Sequence, residues 1–214
     1  KLLFANAGVP VPRGFIATRD DDKRKLAGEY IQNHGKIIVK PNGGGSTVGV
    51  TIVSEIAEYG AALELAWQSE AKALVEEFID GEEVTVPVME TADGKALALP
   101  AIHIKPKSGF YDYKNKYTSG CTEYICPSDF SEEINSRLAD AAVIAYRALG
   151  CRSYSRVDFR VTPEGALYAL EVNTAPGMTA TSLVPKSAKS SGFSFGEFLD
   201  EVVRFSFSID REER

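Results

Sequence analysis

The sequence predicts an α+β protein in which antiparallel strand pairs carry packed amphipathic helices. Three observations predict it. Two alternating runs, Tyr154–Val161 and Ala166–Asn173, flank a Thr-Pro-Glu-Gly turn and read as a β-hairpin. Asp80-Gly81 and Asp93-Gly94 punctuate further apolar runs of strand length. Segments of helical periodicity lie among them, the clearest from Ser131 to Leu149. With 214 residues and 44% hydrophobic content, the chain has enough material for a real core in one or two domains.

Lys1 to Asn6 reads as the tail of a helix closed by Gly8 and the Pro10/Pro12 pair, so a segment upstream of Lys1 is expected. Gly14–Ala17 makes a short strand. Asp20 to Asn33 forms an amphipathic helix with an Asp N-cap, placing Leu26, Tyr30 and Ile31 inward. Lys36–Lys40 is a compact strand that leads into a glycine-rich loop. Ser54 caps a helix with Ile56, Tyr59, Leu63 and Trp67 at helical spacing. Leu74–Ile79, Glu83–Met89 and Ala96–Ile104 are strands. Lys105 to Gly120 is a long polar, aromatic loop of functional type. In the helix from Ser131 to Leu149, Ile134, Leu138, Ala142, Ala145 and Leu149 face inward and Gly150 ends it. Ser194-Phe-Gly-Glu197 is a capping box that opens a last helix with Phe198, Leu199, Val202 and Val203. Asp210 to Arg214 forms a solvated tail.

Charge and composition exclude several classes. A net charge of −6 argues against a nucleic-acid footprint, and no basic stretch suits an anionic membrane. Cys121, Cys126 and Cys151 lack zinc-ligand spacing, so reduced thiols in a cytosolic setting are the default. No apolar run reaches transmembrane length, and Lys1-Leu-Leu-Phe-Ala-Asn is too short for a signal-peptide core. His34 and His103 have no partner pattern and are assigned to solvent or core. That leaves no Ser/His/Asp or Cys/His arrangement.

The hairpin is where chemistry concentrates. Val157, Phe159 and Val161 share one face, which sets Arg156 and Asp158 on the other. Tyr168, Leu170 and Val172 form the apolar face of the second strand, so Glu171 and Asn173 point away from it. If the turn pairs Val161 with Ala166, Arg156 lies opposite Glu171 and Asp158 sits diagonally from it. Diagonal partners are roughly 7–8 Å apart, near enough for two carboxylates to share metal ions. A solvated face of cross-strand charge pairs is the plain alternative. The rigid Thr-Ala-Pro-Gly-Met-Thr loop after Asn173 favours a metal and phosphate site.

Three other clusters accompany it. Lys40 with the Gly43–Gly49 loop offers a point charge, close backbone N–H groups and the hydroxyls of Ser46 and Thr47, although such a run is more often a flexible turn. It lacks the order of a P-loop. Glu76 and Glu77, with Glu83 beyond, could serve a base and a ribose, or form an ordinary charged strand end. Lys116 and Tyr117 could close over a reacting centre, or lie on the surface.

The order of these motifs is more informative than any one of them. Lys-Pro, then Gly-Gly-Ser-Thr-Val-Gly-Val, then Glu-Glu-Phe-Ile-Asp-Gly-Glu-Glu-Val-Thr resembles an ATP-grasp nucleotide site. Phe-Tyr-Asp-Tyr-Lys-Asn-Lys-Tyr, Arg-Val-Asp-Phe and Glu-Val-Asn-Thr-Ala-Pro-Gly-Met-Thr complete it. From Lys1 to Phe205 the sequence closely resembles D-alanine–D-alanine ligases, and the final motif, running on to Pro185, is highly specific to them.

The resemblance implies a two-lobed α+β ATP-grasp fold, each lobe an antiparallel-rich sheet with helices, and the nucleotide between them. Residues 1–83 would form the smaller lobe and 84–214 the larger, with the metal site and lid loop. Lys40 and Lys116 would hold ATP phosphates; Glu76, Glu77 and Ile79 would line the adenine pocket; Glu83 would bind ribose. Asp158, Glu171 and Asn173 match the positions holding two Mg²⁺ ions, with Mn²⁺ an acceptable substitute. Arg156 and the Gly177 backbone would steady the transferred phosphoryl group and the tetrahedral intermediate. Ser182 and Leu183 match the site for the second D-alanine's carboxylate, and Ser46 with Tyr117 a lid-closing pair. The implied reaction makes D-alanyl-D-alanine through an acyl phosphate, in bacterial cytoplasm, for peptidoglycan precursors. D-Alanine is the implied partner and the expected assembly a homodimer, with neither nucleic acid nor membrane bound.

Gly44 and Thr47 depart from the family pattern, where an acidic residue and a second serine are common. The family's N-terminal domain has no counterpart in these residues. Two alternatives follow: a D-alanine–D-serine or D-alanine–D-lactate ligase, and an ATP-binding module without ligase activity. Tyr117 argues against the lactate form, which carries Phe there.

Overall fold

The structure, a computed structural model, describes residues 1–44, 48–91, 93–107 and 121–208. The expected tail at 210–214 and most of the loop from Lys105 to Gly120 lie outside them. By its contacts the chain divides into two units. One comprises Lys1–Val11, Asp80–Lys105 and Glu123–Arg214, the other Pro12–Ile79 and Pro106–Thr122. The break at Ile79/Asp80 falls near the expected boundary at residue 83, but residues 1–11 belong with the larger unit. Phe4 and Val9 explain this, since both are buried in its core.

The smaller unit carries a four-stranded antiparallel sheet in the order β1 (Gly14–Ala17), β4 (Ala73–Glu77), β2 (Ile37–Pro41), β3 (Thr51–Val53). Ile37 and Val39 of β2 and Ala73 and Val75 of β4 face one way, into a cluster closed by α2 (Arg24–His34) and α3 (Tyr59–Trp67). Gly14 is required where β1 meets β4: a Cβ there would lie 2.5 Å from the Val75 carbonyl oxygen. Two helix starts differ from expectation. Helix α2 begins at Arg24 rather than near Asp20, because the Asp21 and Asp22 carboxylates accept from the Lys23 and Arg24 N–H groups and hold a turn there. Helix α3 begins at Tyr59, and the Glu58 carboxylate, not the Ser54 hydroxyl, takes the amides of Ser54 and Glu55.

The larger unit has a sheet in the order β10 (Leu167–Asn173), β9 (Tyr154–Val161), β5 (Glu82–Glu90), β7 (Ile102–Pro106), β8 (Thr122–Ile125), with β6 (Ala96–Ala98) on the far end of β5. The single strand expected from Ala96 to Ile104 is therefore two, separated around Pro100, which cannot donate to a ladder. Pro87 is tolerated inside β5 for a related reason. It falls where that strand leaves β7 (Glu83–Thr85) and takes up β6 (Val88–Glu90).

One face of this sheet presents Val84, Val86, Val88, Val157, Phe159 and Val161 to α1 (Leu2–Asn6) and α4 (Glu132–Ala148). A fully buried side chain such as Phe159 contributes about 2–3 kcal/mol. Helix α4 starts as expected, with the Ser131 hydroxyl accepting from Ile134 N, and buries Leu138, Ala142, Ala145 and Tyr146 while Leu149 stays exposed. The opposite face is apolar at one end, where Met89 and Leu99 meet α5 (Leu183–Ser190) and α6 (Phe195–Ser208). The capping box opening α6 is present, Ser194 N to Glu197 at 2.8 Å and Glu197 N to Ser194 at 3.2 Å. That helix buries Phe198, Val202 and Phe205, whereas Val203 is exposed. No helix among the described residues is long and apolar enough to cross a membrane.

Candidate active site

The other end of that second face is polar. β5 contributes Glu83 and Thr85, β9 Arg156, Asp158 and Arg160, and β10 Glu171 and Asn173. The hairpin register brings them together, and it is not the expected one. Val161 pairs with Leu167, Asp158 lies directly opposite Glu171, and Arg156 opposite Asn173. Two one-residue shifts make the difference: the turn sets Val161 against Leu167 rather than Ala166, and a bulge between Ala169 and Glu171 leaves Leu170 as the extra residue. Before the bulge Leu167 and Ala169 face the core; after it Val172 does. Tyr168 and Leu170, expected in the core stripe, are therefore turned to the other face. Were Leu170 paired regularly with Asp158, Glu171 would oppose Val157 and point into the core. The bulge is what puts Glu171 and Asn173 beside Asp158.

Asp158 is held tightly. Arg156 Nε donates to Oδ1 at 2.9 Å and Nη2 to Oδ2 at 2.8 Å, and Thr85 Oγ1 donates to Oδ1 at 2.5 Å. Glu171 is exposed, and Asn173 Oδ1 accepts from Ala175 N at 3.1 Å, fixing the start of the following loop. Glu83 is half-buried and ion-paired with Arg160 at 3.5 Å, whose Nη1 also reaches the Gly81 carbonyl at 2.6 Å. Among the described residues no cluster of three or more His, Cys, Asp or Glu could hold a metal. Two carboxylates and an amide oxygen nevertheless form an all-oxygen donor set that suits a hard cation.

The loop after β10 folds back on itself. Ser182 precedes α5, but its hydroxyl accepts from Thr179 N at 3.1 Å and sits 2.8 Å from Thr179 Oγ1. A Cβ at Gly177 would come within 3.0 Å of that same hydroxyl oxygen, so Gly177 and Ser182 are neighbours. Leu183 is half-buried, Ser187 anchors α5 to the Pro100 carbonyl at 2.6 Å, and Lys186 Nζ lies 4.9 Å above the Tyr124 ring.

In the smaller unit Lys40 Nζ meets Glu76 Oε2 at 2.8 Å on one sheet face, with Glu76 only 2% exposed. Glu77 is on the opposite face. Its carboxylate accepts from Arg13 N at 2.8 Å and pairs with His34 Nδ1 at 3.2 Å. Ile79 is half-buried just beyond β4. At the root of the glycine loop, Gly43 N donates to Glu70 Oε2 at 2.5 Å. Ser46, Lys116 and Tyr117 lie outside the described residues.

His103 belongs to the core of the larger unit, 4% exposed, with Asp129 at 2.5 Å and Glu82 at 3.2 Å. Sequence reasoning also missed Thr85 and Arg160. Alternation along Glu83-Val-Thr-Val placed Thr85 on the polar face, yet threonine reads first as a strand former.

The larger unit thus presents an antiparallel sheet with an acidic, oxygen-rich face and an arginine fork. The chain belongs to the family described as D-ala D-ala ligase C-terminus, whose profile matches residues 3–204. A D-alanine–D-alanine ligase of Syntrophotalea carbinolica is 48% identical over 203 residues, 95% of this chain and 63% of that relative. The chain thus spans somewhat under two thirds of that relative's length. Among solved structures it is similar to VanG D-Ala:D-Ser ligase from Enterococcus faecalis, with 35% identity and a TM-score of 0.82 over 94% of this chain and 58% of the other. It is likewise similar to the D-alanine–D-alanine ligase of Bacillus anthracis complexed with ATP, with 30% identity and a TM-score of 0.79 over 100% of this chain and 66% of that one. The architecture is the ATP-grasp fold of these ligases.

Proposed function

We propose that the intact protein joins two D-alanines into D-alanyl-D-alanine, driven by ATP, to supply peptidoglycan precursors in the bacterial cytoplasm. The observation that carries this reading is the hairpin register, with Asp158 opposite Glu171 and Asn173 opposite Arg156. Those three oxygen-bearing side chains would hold two Mg²⁺ ions, or Mn²⁺, since Mg²⁺ takes few protein ligands beside substrate phosphates. When bound, the ions supply charge neutralisation at the phosphate oxygens.

Lys40 and Lys116 would grip the phosphates and Glu83 the ribose. Glu76 and Ile79 would line the adenine site through side chain and backbone. Glu77 would contribute through its backbone, because its carboxylate is committed to His34 and Arg13. Arg156 and the Gly177 amide would stabilise charge on the transferring group. Ser182 and Leu183 would receive the second D-alanine's carboxylate, and Ser46 with Tyr117 would close the site.

The γ-phosphoryl group passes from ADP's oxygen to a carboxylate oxygen of the first D-alanine, giving an acyl phosphate and ADP. The amine of the second attacks the carbonyl carbon, the bond to the phosphate oxygen breaks, and the amine gives up a proton as phosphate departs. Excluding water protects the acyl phosphate in this second step.

Phosphate release from ATP by the intact protein, measured with D-alanine, D-serine and D-lactate as acceptors, tests the reading. Release that D-alanine sustains is the expected result. A preference for D-serine would move the protein beside VanG-type ligases, and no acceptor-dependent release would overturn ligase activity altogether. The working assembly is proposed to be a homodimer; a monomer mass by light scattering would remove that part.

A further inference from the structure

Thr85 is fully buried on β5 and lies directly across from Asp158. Its hydroxyl is 2.5 Å from Asp158 Oδ1 and 3.4 Å from the Val157 carbonyl oxygen. A hydroxyl has one proton to give, and the short contact has the length of a charge-assisted O–H···O⁻ bond, so the carboxylate receives it. Oδ1 accepts from Arg156 Nε as well, while Oδ2 accepts only Arg156 Nη2 among the described residues. A carboxylate offers about four lone-pair directions, two on each oxygen. Oδ1 is therefore saturated, and Oδ2 keeps acceptor capacity. The torsion that turns an aspartate carboxylate is soft and broad, so without Thr85 the arginine fork would be its one restraint among the described residues.

We propose that Thr85 is a positioning residue that locks the Asp158 carboxylate so that it meets a divalent cation through Oδ2 alone. The proposal rests on the metal-site reading given above. Groups that orient a metal ligand typically govern affinity about 10–100-fold without touching the ion.

The experiment follows loss of the solution Mn²⁺ electron-paramagnetic signal as intact protein is titrated into Mn²⁺ and a non-hydrolysable ATP analogue. Thr85→Val, which keeps the shape and removes the hydroxyl, should weaken Mn²⁺ binding about tenfold or more. Thr85→Ser, which keeps the hydroxyl, should stay within about threefold of the unsubstituted protein. Binding of the analogue in chelator should be the same for all three. If Thr85→Val does not fold, Thr85→Ala takes its place. Unchanged Mn²⁺ affinity without the hydroxyl overturns the proposal, and so does a serine variant as weak as the valine one. An unsubstituted protein that binds no Mn²⁺ overturns the metal-site reading itself, and this role with it.

Discussion

Arg156 and Asp158, two residues apart on one strand face, form a fork-to-fork pair in which both carboxylate oxygens accept from the guanidinium. Each is under a tenth exposed. Removing one partner of a buried pair leaves the other charge stranded, so Arg156→Ala should cost about 3 kcal/mol in urea unfolding. Glu171 is exposed, so Glu171→Gln should shift stability by less than about 0.5 kcal/mol. In the intact protein Glu171→Gln and Asp158→Asn should both abolish D-alanine-dependent ADP formation. Near-normal turnover in either would sink the metal-ligand assignment.

Deleting Leu170 removes the bulge residue and makes the ladder regular, with Ala169 opposite Phe159 and Glu171 still opposite Asp158. The expected outcome is a folded variant with a cooperative melt that, in the intact protein, keeps D-alanine-dependent ADP formation. Replacing Leu170 by valine keeps the count and should be mild. A deletion variant that fails to fold or loses turnover would show that the bulge is needed for more than the pairing it sets.

The Lys105 ammonium, and then His103, hold the Asp129 carboxyl well below the usual range, at about 2. A folded value below the unfolded one means the stabilisation is fully present above about pH 4. It fades as pH falls through about 2. Asp129 is partly exposed, so solvent screening keeps the contribution to about 1 kcal/mol or less. Asp129→Asn should lower stability at neutral pH, with the gap to the unsubstituted protein closing between pH 4 and 2. A gap that widens on acidification would contradict the assignment.

Ser155 is completely buried, and its hydroxyl meets no hydrogen-bond partner among the described residues. It shares a face with Val157 and Phe159, above an apolar core. Ser155→Ala should therefore raise unfolding free energy by about 0.5–1 kcal/mol, read as a higher denaturant midpoint at constant slope. A lower midpoint would mean that the hydroxyl has a role in the folded state.

Much of this arrangement was legible from residue order. Alternation placed Asp158, Arg156, Glu171 and Asn173 together, and the Ser194–Glu197 capping box was read correctly. The register was not legible. No glycine or asparagine marks the bulge at Leu170, and Tyr168-Ala-Leu-Glu reads as uninterrupted alternation until core packing selects Leu167 and Ala169. Helix α2 was set too early because Asp21 and Asp22 are good caps whose side chains instead close the preceding turn. Alternation sets Glu77 on the face opposite Glu76, but nothing in the residue order pointed to His34 as its partner. Ser46, Lys116 and Tyr117, outside the described residues, stay as the sequence left them.

The larger unit is interrupted by the smaller one. Its first strip, residues 1–11, packs against α4, and the Pro10 carbonyl accepts from Ala169 N at 2.8 Å on the edge of β10. During synthesis those residues leave the ribosome before the stretch 12–79, and their partners only after it. The stretch 12–79 can gather locally in the meantime, because its sheet uses only its own strands. Closing so long an excursion costs loop entropy that grows only slowly with length, but contacts of such wide separation in sequence form late. Docking of Phe4 and Val9 is then a terminal event in assembly, and the edge of β10 stays open to other strands until it happens.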